Sequence, residues 1–369
     1  MLDVNVSKLW KDHGIDSIEI RNAFLNTPIK EIRMLINNIC NTNCSHCFYG
    51  FKDMIREPLT KEEWLGVIDK AVDLGVISFH FSGKEPFIND DIFFYTDYIK
   101  RNYPFVIFDV ITNGINIPKY IKEIKNAGFQ RVMLSYGGED FTIRKYEQEK
   151  FFNALTSLLE NDILTHIYIS AASTNYRNIK DYIRYFNSLG VENFFIAPVK
   201  YCGDAKNNSH LLLNPEQINE LLFTLGEKEY SENCRIDLSI TGGMFEGVNN
   251  EDFYKLIAYC IETDDDYIGN NLYLNLDLMC CRYLWQATLT PDGYILGCAT
   301  EVSYKDYYNY SAGNVRDLPL DVIFKRGKEM SIRDSIIASQ CAKENGCYYC
   351  NGGCPGRRYC YSKIRQEDN

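Results

Sequence analysis

What the chain lacks narrows it first. Its 369 residues hold no run of about 18 apolar residues, so no membrane-spanning helix is expected. Met1-Leu2-Asp3-Val4-Asn5 opens without a basic segment followed by an apolar one. No secretory signal is read, and the protein is expected in the cytoplasm. Nor is there a basic run of about five or six residues to mark a nucleic-acid or lipid patch. The formal charge is −11, which repels nucleic acid and anionic membrane, so neither is an expected partner. Internal repeats and low-complexity tracts are also missing.

What is present is apolar residues and cysteine. Hydrophobic residues make up 46% of the chain, enough for a sizeable core, and the length suggests about two domains. Fourteen cysteines without a secretion signal need a reason. A disulfide framework does not suit a reducing compartment, so metal or cluster ligation is the better explanation. Their placement is uneven: three at 40–47, eight after residue 279, and only Cys202, Cys234 and Cys260 between.

From residue 32 to about residue 198, short apolar runs rich in Ile, Val, Phe and Tyr alternate with helical periodicity. The pattern predicts strands at 32–39, 76–82, 105–112, 130–136, 164–172 and 192–198. Helices are predicted near 60–74, 90–101, 117–127, 148–161 and 177–189, the first opened by a Thr60/Glu63 capping box. Six strands with intervening helices imply parallel βαβ units, an α/β fold best matched by a partial (β/α)6 TIM-type barrel. Chemistry in such folds sits at the carboxyl ends of strands. The expected division is an N-terminal extension (1–30), the barrel (31–213), a linking region (214–279) and a cysteine-rich module (280–369). Within the linking region, Asn214-Pro215 is expected to start a further helix.

The trio Cys40, Cys44 and Cys47 follows the first predicted strand with the spacing C-x3-C-x2-C. A cubane cluster has four irons, so three thiolates leave one iron open for chemistry. A structural zinc site is the alternative, with His46 as fourth ligand. His46 lies in the gap between Cys44 and Cys47, where its ring cannot easily share a metal with both. The trio resembles the signature of the radical SAM enzymes. That resemblance implies a [4Fe–4S] cluster whose open iron is chelated by S-adenosylmethionine. One electron then releases a 5′-deoxyadenosyl radical. It also implies that the backbone of His46 touches adenine.

Other strand ends extend the resemblance. Ser82-Gly83-Lys84-Glu85-Pro86 is similar to the family's Gly-Gly-Glu-Pro element, which binds the methionine amino group; Lys84 replaces its second glycine. The resemblance implies polar contacts to ribose and methionine carboxylate from Asn113, in Thr112-Asn113-Gly114, and from Ser135, in Ser135-Tyr136-Gly137-Gly138. It offers Arg144 as a partner of the carboxylate. The family's Ser-x-Asp-Gly reads Ser-Tyr-Gly-Gly here, so its Asp is missing.

The last ninety residues carry Cys281, then eleven residues, Gly293, four residues and Cys298, followed by Cys341, Cys347, Cys350, Cys354 and Cys360. This resembles the SPASM domain, a carrier of auxiliary [4Fe–4S] clusters, with the two inner gaps of its second half exchanged. The implied ligands are Cys281, Cys298 and Cys354, with Cys280, for one cluster. Cys341, Cys347, Cys350 and Cys360 would serve the second. A pair of zinc ribbons is the alternative. Sulfatase-maturating members place an Asp base directly after the cysteine of G-x4-C. Ala299 stands there instead, so either the base lies elsewhere, with Glu301 a candidate, or the reaction differs from that of those members, which is the expectation favoured. Cys202, after the sixth strand, is a candidate hydrogen donor to a substrate radical, or else a small buried hydrophobe.

The resemblance implies hydrogen abstraction from a peptide, leading to crosslinking, oxidation or epimerisation. The alternative is a small-molecule dehydrogenase or epimerase in natural-product biosynthesis. Flavodoxin or ferredoxin is the implied reductant. Residues 1–30 are few for a leader-binding winged-helix module, so a leaderless or partner-delivered peptide is expected. Three cubanes predict about twelve irons per chain in anaerobically prepared protein, at four irons each. An iron assay returning about four would leave the trio as the only cluster site.

Overall fold

In the computed structural model the described residues are 25–49, 57–138, 145–225, 234–241, 267–269, 272–277, 283, 285–303 and 305–344. The six predicted strands are all there: β1 (Glu31–Leu35), β2 (Ser78–Ser82), β3 (Ile107–Thr112), β4 (Val132–Tyr136), β5 (Thr165–Ala171) and β6 (Asn193–Pro198). Between them run α1 (Lys61–Asp73), α2 (Asp91–Asn102), α3 (Ile117–Ala127), α4 (Lys145–Glu160) and α5 (Ile179–Ser188). Each consecutive pair of these strands is parallel, as right-handed βαβ crossovers require.

Local chemistry sets the ends of these elements. Thr60 caps α1: its hydroxyl accepts from Glu63 N at 3.2 Å, and its own N–H donates to Glu63 Oε2 at 2.8 Å. Trp64, Val67, Ile68 and Ala71 of α1 face the core. β1 stops at Leu35 rather than running to residue 39. The reason is Asn37, whose Oδ1 accepts from Ile39 N at 3.1 Å while its Nδ2 donates to Glu85 O at 2.8 Å. A side chain bonding its own backbone in this way competes with the strand ladder.

The sheet is larger than the six strands expected. The stretch 214–279 adds α6 (Pro215–Leu225), β7 (Arg235–Thr241), β8 (Tyr267–Gly269) and β9 (Leu272–Asp277). β7 and β9 continue the parallel order beyond β6, and β8 closes that edge antiparallel. On the other side β10 (Gln286–Leu289) lies parallel to β1, followed by antiparallel β11 (Tyr294–Leu296) and β12 (Gly313–Asn314). The final described element is α7 (Leu320–Glu344). The first hairpin of the cysteine-rich stretch is thus hydrogen-bonded into the barrel sheet beside β1.

One apolar cluster joins the sheet to its helices. Ile32 and Met34 of β1, Phe79 and Phe81 of β2, Phe108 and Val110 of β3 and their counterparts on β4–β7 and β10 are buried against the helix faces. Alternation along a strand sends the intervening residues to the inner face. Several of those are polar or charged: Arg33, His80, Asp109, Tyr168 and Thr288.

The β10–β11 turn depends on Gly293, whose φ of +89° is left-handed. A Cβ there would stand 2.9 Å from Asn314 Oδ1. Arg316, just past β12, ties this hairpin to the barrel. Its Nε and Nη2 reach Glu63 Oε1 and Oε2 at 2.6 and 2.8 Å, and Nη1 reaches Glu57 O at 3.0 Å. These bonds, from Arg316 first and Thr60 second, hold the Glu63 carboxyl down to about 2. A depressed carboxyl contributes stability that is complete above its unfolded value of about 4.3 and is lost as pH falls toward the folded value. Arg316→Ala is therefore expected to lower stability at pH 7 by about 1 kcal/mol. In thermal unfolding the variant and the parent should converge as the pH drops below the carboxylate range.

Candidate functional site

The cysteine loop leaves the carboxyl end of β1 and is laid across the ends of β2 and β3. Glu85 N donates to Ile39 O at 3.0 Å just ahead of it. Inside the loop, Thr42 organises two thiols. Its N–H points at Cys40 Sγ (3.4 Å), and its hydroxyl lies 3.1 Å from Cys40 Sγ and 3.6 Å from Cys44 Sγ. Asn113, after β3, donates from Nδ2 to Cys40 Sγ at 3.8 Å and to Asn41 Oδ1 at 2.8 Å. Cys47 N donates to Cys44 O at 3.1 Å, tightening the last turn.

All three thiols are partly buried. Burial pushes the Cys47 thiol up, and the Lys84 charge opposes that rise. Among the described residues, no three His, Cys, Asp or Glu side chains converge closely enough to hold one metal ion. A cubane gives each thiolate its own iron and asks for no such convergence. Three soft thiols, with the Thr42 and Asn113 N–H donors turned toward Cys40 Sγ, fit an iron–sulfur cluster, whose properties such hydrogen bonds tune.

The strand-end residues gather around this loop. Glu85 is 0% exposed. Its Oε1 accepts from Thr112 Oγ1 at 2.6 Å and Phe87 N at 3.0 Å, and its Oε2 accepts from Asn113 N at 2.8 Å. Burial pushes this carboxyl up, against the pull of those donors. The carboxylate is thereby a brace between the ends of β2 and β3, with most of its acceptor capacity already used. Lys84 places its Nζ 5.9 Å from the centre of the Tyr49 ring. Gly83 passes close to Asn37. Ser82 is buried at the end of β2, and Ser135 stands beside Tyr168 in the β4–β5 register. The His46 residue keeps some exposure, yet its ring is set in protein, and burial lowers its pKa to about 4. The imidazole is neutral at neutral pH.

After β6 the chain returns to the cysteine loop. Asp204 N donates to Cys47 O at 2.8 Å, and Asn208 Nδ2 donates to Ser45 O at 3.1 Å. Gly203, at φ +57°, makes this approach possible: a Cβ would overlap Cys47 O and the Phe48 backbone. Cys202 is buried immediately before it, so the candidate hydrogen donor does stand beside the trio. Its thiol lies within electrostatic range of Tyr168 on the inner face.

Glu301 is buried with Oε2 accepting from Gly297 N at 3.0 Å and Cys298 N at 3.2 Å. It holds the turn that presents Cys298. Val302, Tyr307 and Leu296 from this region pack with Leu35 and Tyr49, against Cys47 and Phe48. The expected ligands Cys280, Cys281, Cys347, Cys350, Cys354 and Cys360, with Arg144, lie outside the described residues. Cys341 falls within α7, but its side chain also lies outside them.

Sequence reasoning missed Thr42, Tyr49, Gly203 and Asp204 as parts of this site. Thr42 was signalled by its position between two cysteines. Gly203, adjoining Cys202, was visible as a glycine at a strand end, but its partner 156 positions earlier was not.

Residues 34–186 match the family model of the Radical SAM superfamily and are a radical SAM domain. A probable GTP 3′,8-cyclase of Methanothermobacter thermautotrophicus is 25% identical over 245 residues, 63% of this chain and 80% of that protein. The chain spans only 34–39% of three other GTP 3′,8-cyclases. A PqqA peptide cyclase of Granulibacter bethesdensis is 26% identical over 200 residues, 51% of this chain and 52% of that one. Among solved structures, native anSMEcpe with bound AdoMet superposes with a TM-score of 0.63 at 18% identity, covering 90% of both chains. Streptococcus suis SuiB bound to precursor peptide SuiA gives 0.59 at 15% identity, covering 87% of this chain and 67% of that one. These two likenesses show a shared fold.

The docking of Gly203 on Cys47 generates a direct test. Gly203→Ala is expected to lower trio-bound iron and S-adenosylmethionine cleavage by about tenfold or more through displacement of the Cys47 loop. Gly66, in the middle of α1, is the control, because a Cβ there would meet nothing within 4 Å. Gly66→Ala should add about 0.5–1 kcal/mol of helix stability and leave the iron content unchanged.

Proposed function

We propose that this chain, a radical SAM protein by its domain at 34–186, abstracts a hydrogen atom from a peptide substrate. The outcome would be a crosslink, an oxidation or an epimerisation. With a [4Fe–4S] cluster held by Cys40, Cys44 and Cys47, S-adenosylmethionine supplies the 5′-deoxyadenosyl radical that does this. The chain's own residues set the stage. Thr42 and Asn113 direct donors at the thiols, Glu85 braces the strand ends beside them, and the Lys84 cation lies near Cys47. His46, Ser82, Gly83, Ser135 and Arg144 complete the proposed S-adenosylmethionine contacts, and Cys202 is the proposed hydrogen donor.

The observation that carries the peptide reading is the place of the Gly293-x4-Cys298 hairpin. It is paired to β1, the same strand that delivers the trio. That supports a SPASM-type arrangement, with Cys280, Cys281, Cys298 and Cys354 on one auxiliary cluster and Cys341, Cys347, Cys350 and Cys360 on another. An auxiliary cluster would serve as an electron acceptor for an oxidative reaction. Glu301 stays the proposed base only if its backbone bonds open. The PqqA peptide cyclase relative supports the same class of substrate.

A second reading has its own observation. The relative matched over 63% of this chain is named a probable GTP 3′,8-cyclase, which favours a small-molecule substrate. A flavodoxin or ferredoxin is the proposed electron donor under both readings. Among the described residues no helix is long and apolar enough to cross a membrane.

Two measurements decide. Replacing Cys40, Cys44 and Cys47 together by alanine should abolish deoxyadenosine formation under reducing, anaerobic conditions; a triple variant that still forms it contradicts the radical reading. Deuterium carried into deoxyadenosine from labelled peptides supports the first substrate class. Transfer from labelled GTP and not from peptide would overturn it.

A further inference from the structure

The inner face of the sheet carries a histidine with one ring nitrogen committed and the other open. His80 lies at the centre of β2, between Phe79 and Phe81, which turn outward into the apolar core. Its Nδ1 meets Asp109 Oδ1 on β3, and Asp109 Oδ2 accepts from Arg131 Nε at 2.6 Å. Burial alone would raise the Asp109 carboxyl, but His80 and Arg131 outweigh it and hold it at about 2. An ionised carboxylate only accepts, so in the neutral imidazole Nδ1 carries the hydrogen and Nε2 keeps a lone pair. No hydrogen bond reaches Nε2 among the described residues, and 8% of the side chain stays exposed.

Arg131 already balances the Asp109 charge, so the carboxylate does not need the histidine for neutrality. What the carboxylate gives the histidine is a fixed tautomer and ring orientation, the arrangement that proton transfer asks for. The other charged and titratable groups of this layer can be named. Register sets Arg33 of β1 beside His80. Glu31, one inward position earlier on β1, accepts from the Ser78 hydroxyl at 3.4 Å. On β5, burial first and the Arg131 charge second lower the His166 pKa to about 4, so that ring is neutral at neutral pH.

The same strand connects this histidine to the trio. Ser82 is the next inward residue of β2, about 7 Å nearer the carboxyl edge. Its side chain approaches the buried Tyr49 hydroxyl, and Tyr49 packs with Leu35 against Cys47 and Phe48. His80 thus stands one inward step below the edge where the trio sits. Glu301, the other candidate base, is 1% exposed and has its Oε2 bonded to two backbone N–H groups.

We propose that His80 is the general base of an oxidative reaction at the radical site, with Asp109 as its positioning residue. The proposal rests on the radical reading above and narrows its outcome to oxidation or crosslinking; epimerisation returns a hydrogen atom to the same carbon and needs no such base. The substrate's C–H bond breaks first, its hydrogen atom becoming a C–H of deoxyadenosine. A hydroxyl or N–H on the carbon radical, or on the group that joins it, then gives its proton to His80 Nε2. One electron leaves for an oxidised auxiliary iron–sulfur cluster, and a new carbon–oxygen or carbon–nitrogen bond, double or crosslinking, forms. The peptide thus loses two hydrogens, as one atom, one proton and one electron.

The test uses cluster-loaded enzyme, S-adenosylmethionine and peptides deuterated at Cα and Cβ; the peptide that carries deuterium into deoxyadenosine is the probe. The quantity read is peptide lighter by two hydrogens, per deoxyadenosine formed. His80→Asn keeps an amide donor for Asp109 but removes Nε2. It should lower that ratio by about tenfold or more while deuterium transfer continues, and added imidazole should restore part of it. Asp109→Asn, which reverses the tautomer preference, should lower the ratio too. In the parent the ratio should fall as pH drops through the imidazole's titration, because a protonated ring cannot accept; in His80→Asn that dependence should vanish. Nitrogen NMR of histidine-labelled protein gives a readout apart from activity: one imidazole with its hydrogen on Nδ1, absent from His80→Asn. If that variant does not fold, the parent's pH profile and NMR decide. An unchanged ratio in the variant, a flat profile in the parent, a parallel loss of deuterium transfer and product, or a hydrogen on Nε2 overturns the proposal. A parent that transfers deuterium from no peptide sinks the radical reading on peptides and the base with it, even where the Nδ1 signature is present.

Discussion

The rest of the structure depends on the pairing of β1 with a neighbour on each side. β2 lies parallel on one flank and β10 parallel on the other, both in register with residues 31–34. Parallel pairing forces every carboxyl end to the same edge of the sheet. The cysteine trio after β1, the Gly83–Glu85 turn after β2 and Asn113 after β3 therefore meet without any of them being sequence neighbours. The same pairing draws in the β10–β11 hairpin, and with it Cys298, from the far end of the chain. Removing β10 from that position would leave the trio loop without Leu296, Val302 and Tyr307 to pack against.

A division of labour between the two faces of the sheet follows. The outer face is almost wholly apolar and closes against the helices. The inner face carries a row of polar side chains across β10, β1, β2 and β3: Thr288, Arg33, His80 and Asp109. A core needs the first, and burying the second without partners would destabilise it. Polar residues persist at inward positions where something other than packing is asked of them, and a substrate face is such a place. Arg131 and His80 both pair with Asp109 there.

Much of this was legible in the sequence, for physical reasons that can be named. Six strands and five helices were readable because each carries its own periodicity, and α1 announced itself through Thr60 and Glu63. The trio was readable because three thiols at that spacing have few other uses. The residues that escaped are those whose meaning lies in distant partners. β7, with the alternation Arg-Ile-Asp-Leu-Ser-Ile-Thr, sat in a stretch read as a linker, since nothing local says which strand it will join. β10 pairs with β1 across most of the chain, a contact of high sequence separation that no local window reveals. Glu85 was expected to hold a ligand ammonium; that its oxygens are already bonded to Thr112, Phe87 and Asn113 depends on the β2–β3 alignment. Gly203 is meaningful only against Cys47.

The central claim is that the trio binds a cluster with an open iron at the edge where β1 ends. Electron paramagnetic resonance of the reduced protein tests this most directly. S-adenosylmethionine carrying an isotopic label on its methionine amino nitrogen is added, and hyperfine coupling to the cluster is measured. The account predicts a cluster signal that changes on addition and shows coupling to the labelled nitrogen, both lost when Cys40, Cys44 and Cys47 are replaced. A cluster signal that is unaffected by S-adenosylmethionine and shows no such coupling would contradict it.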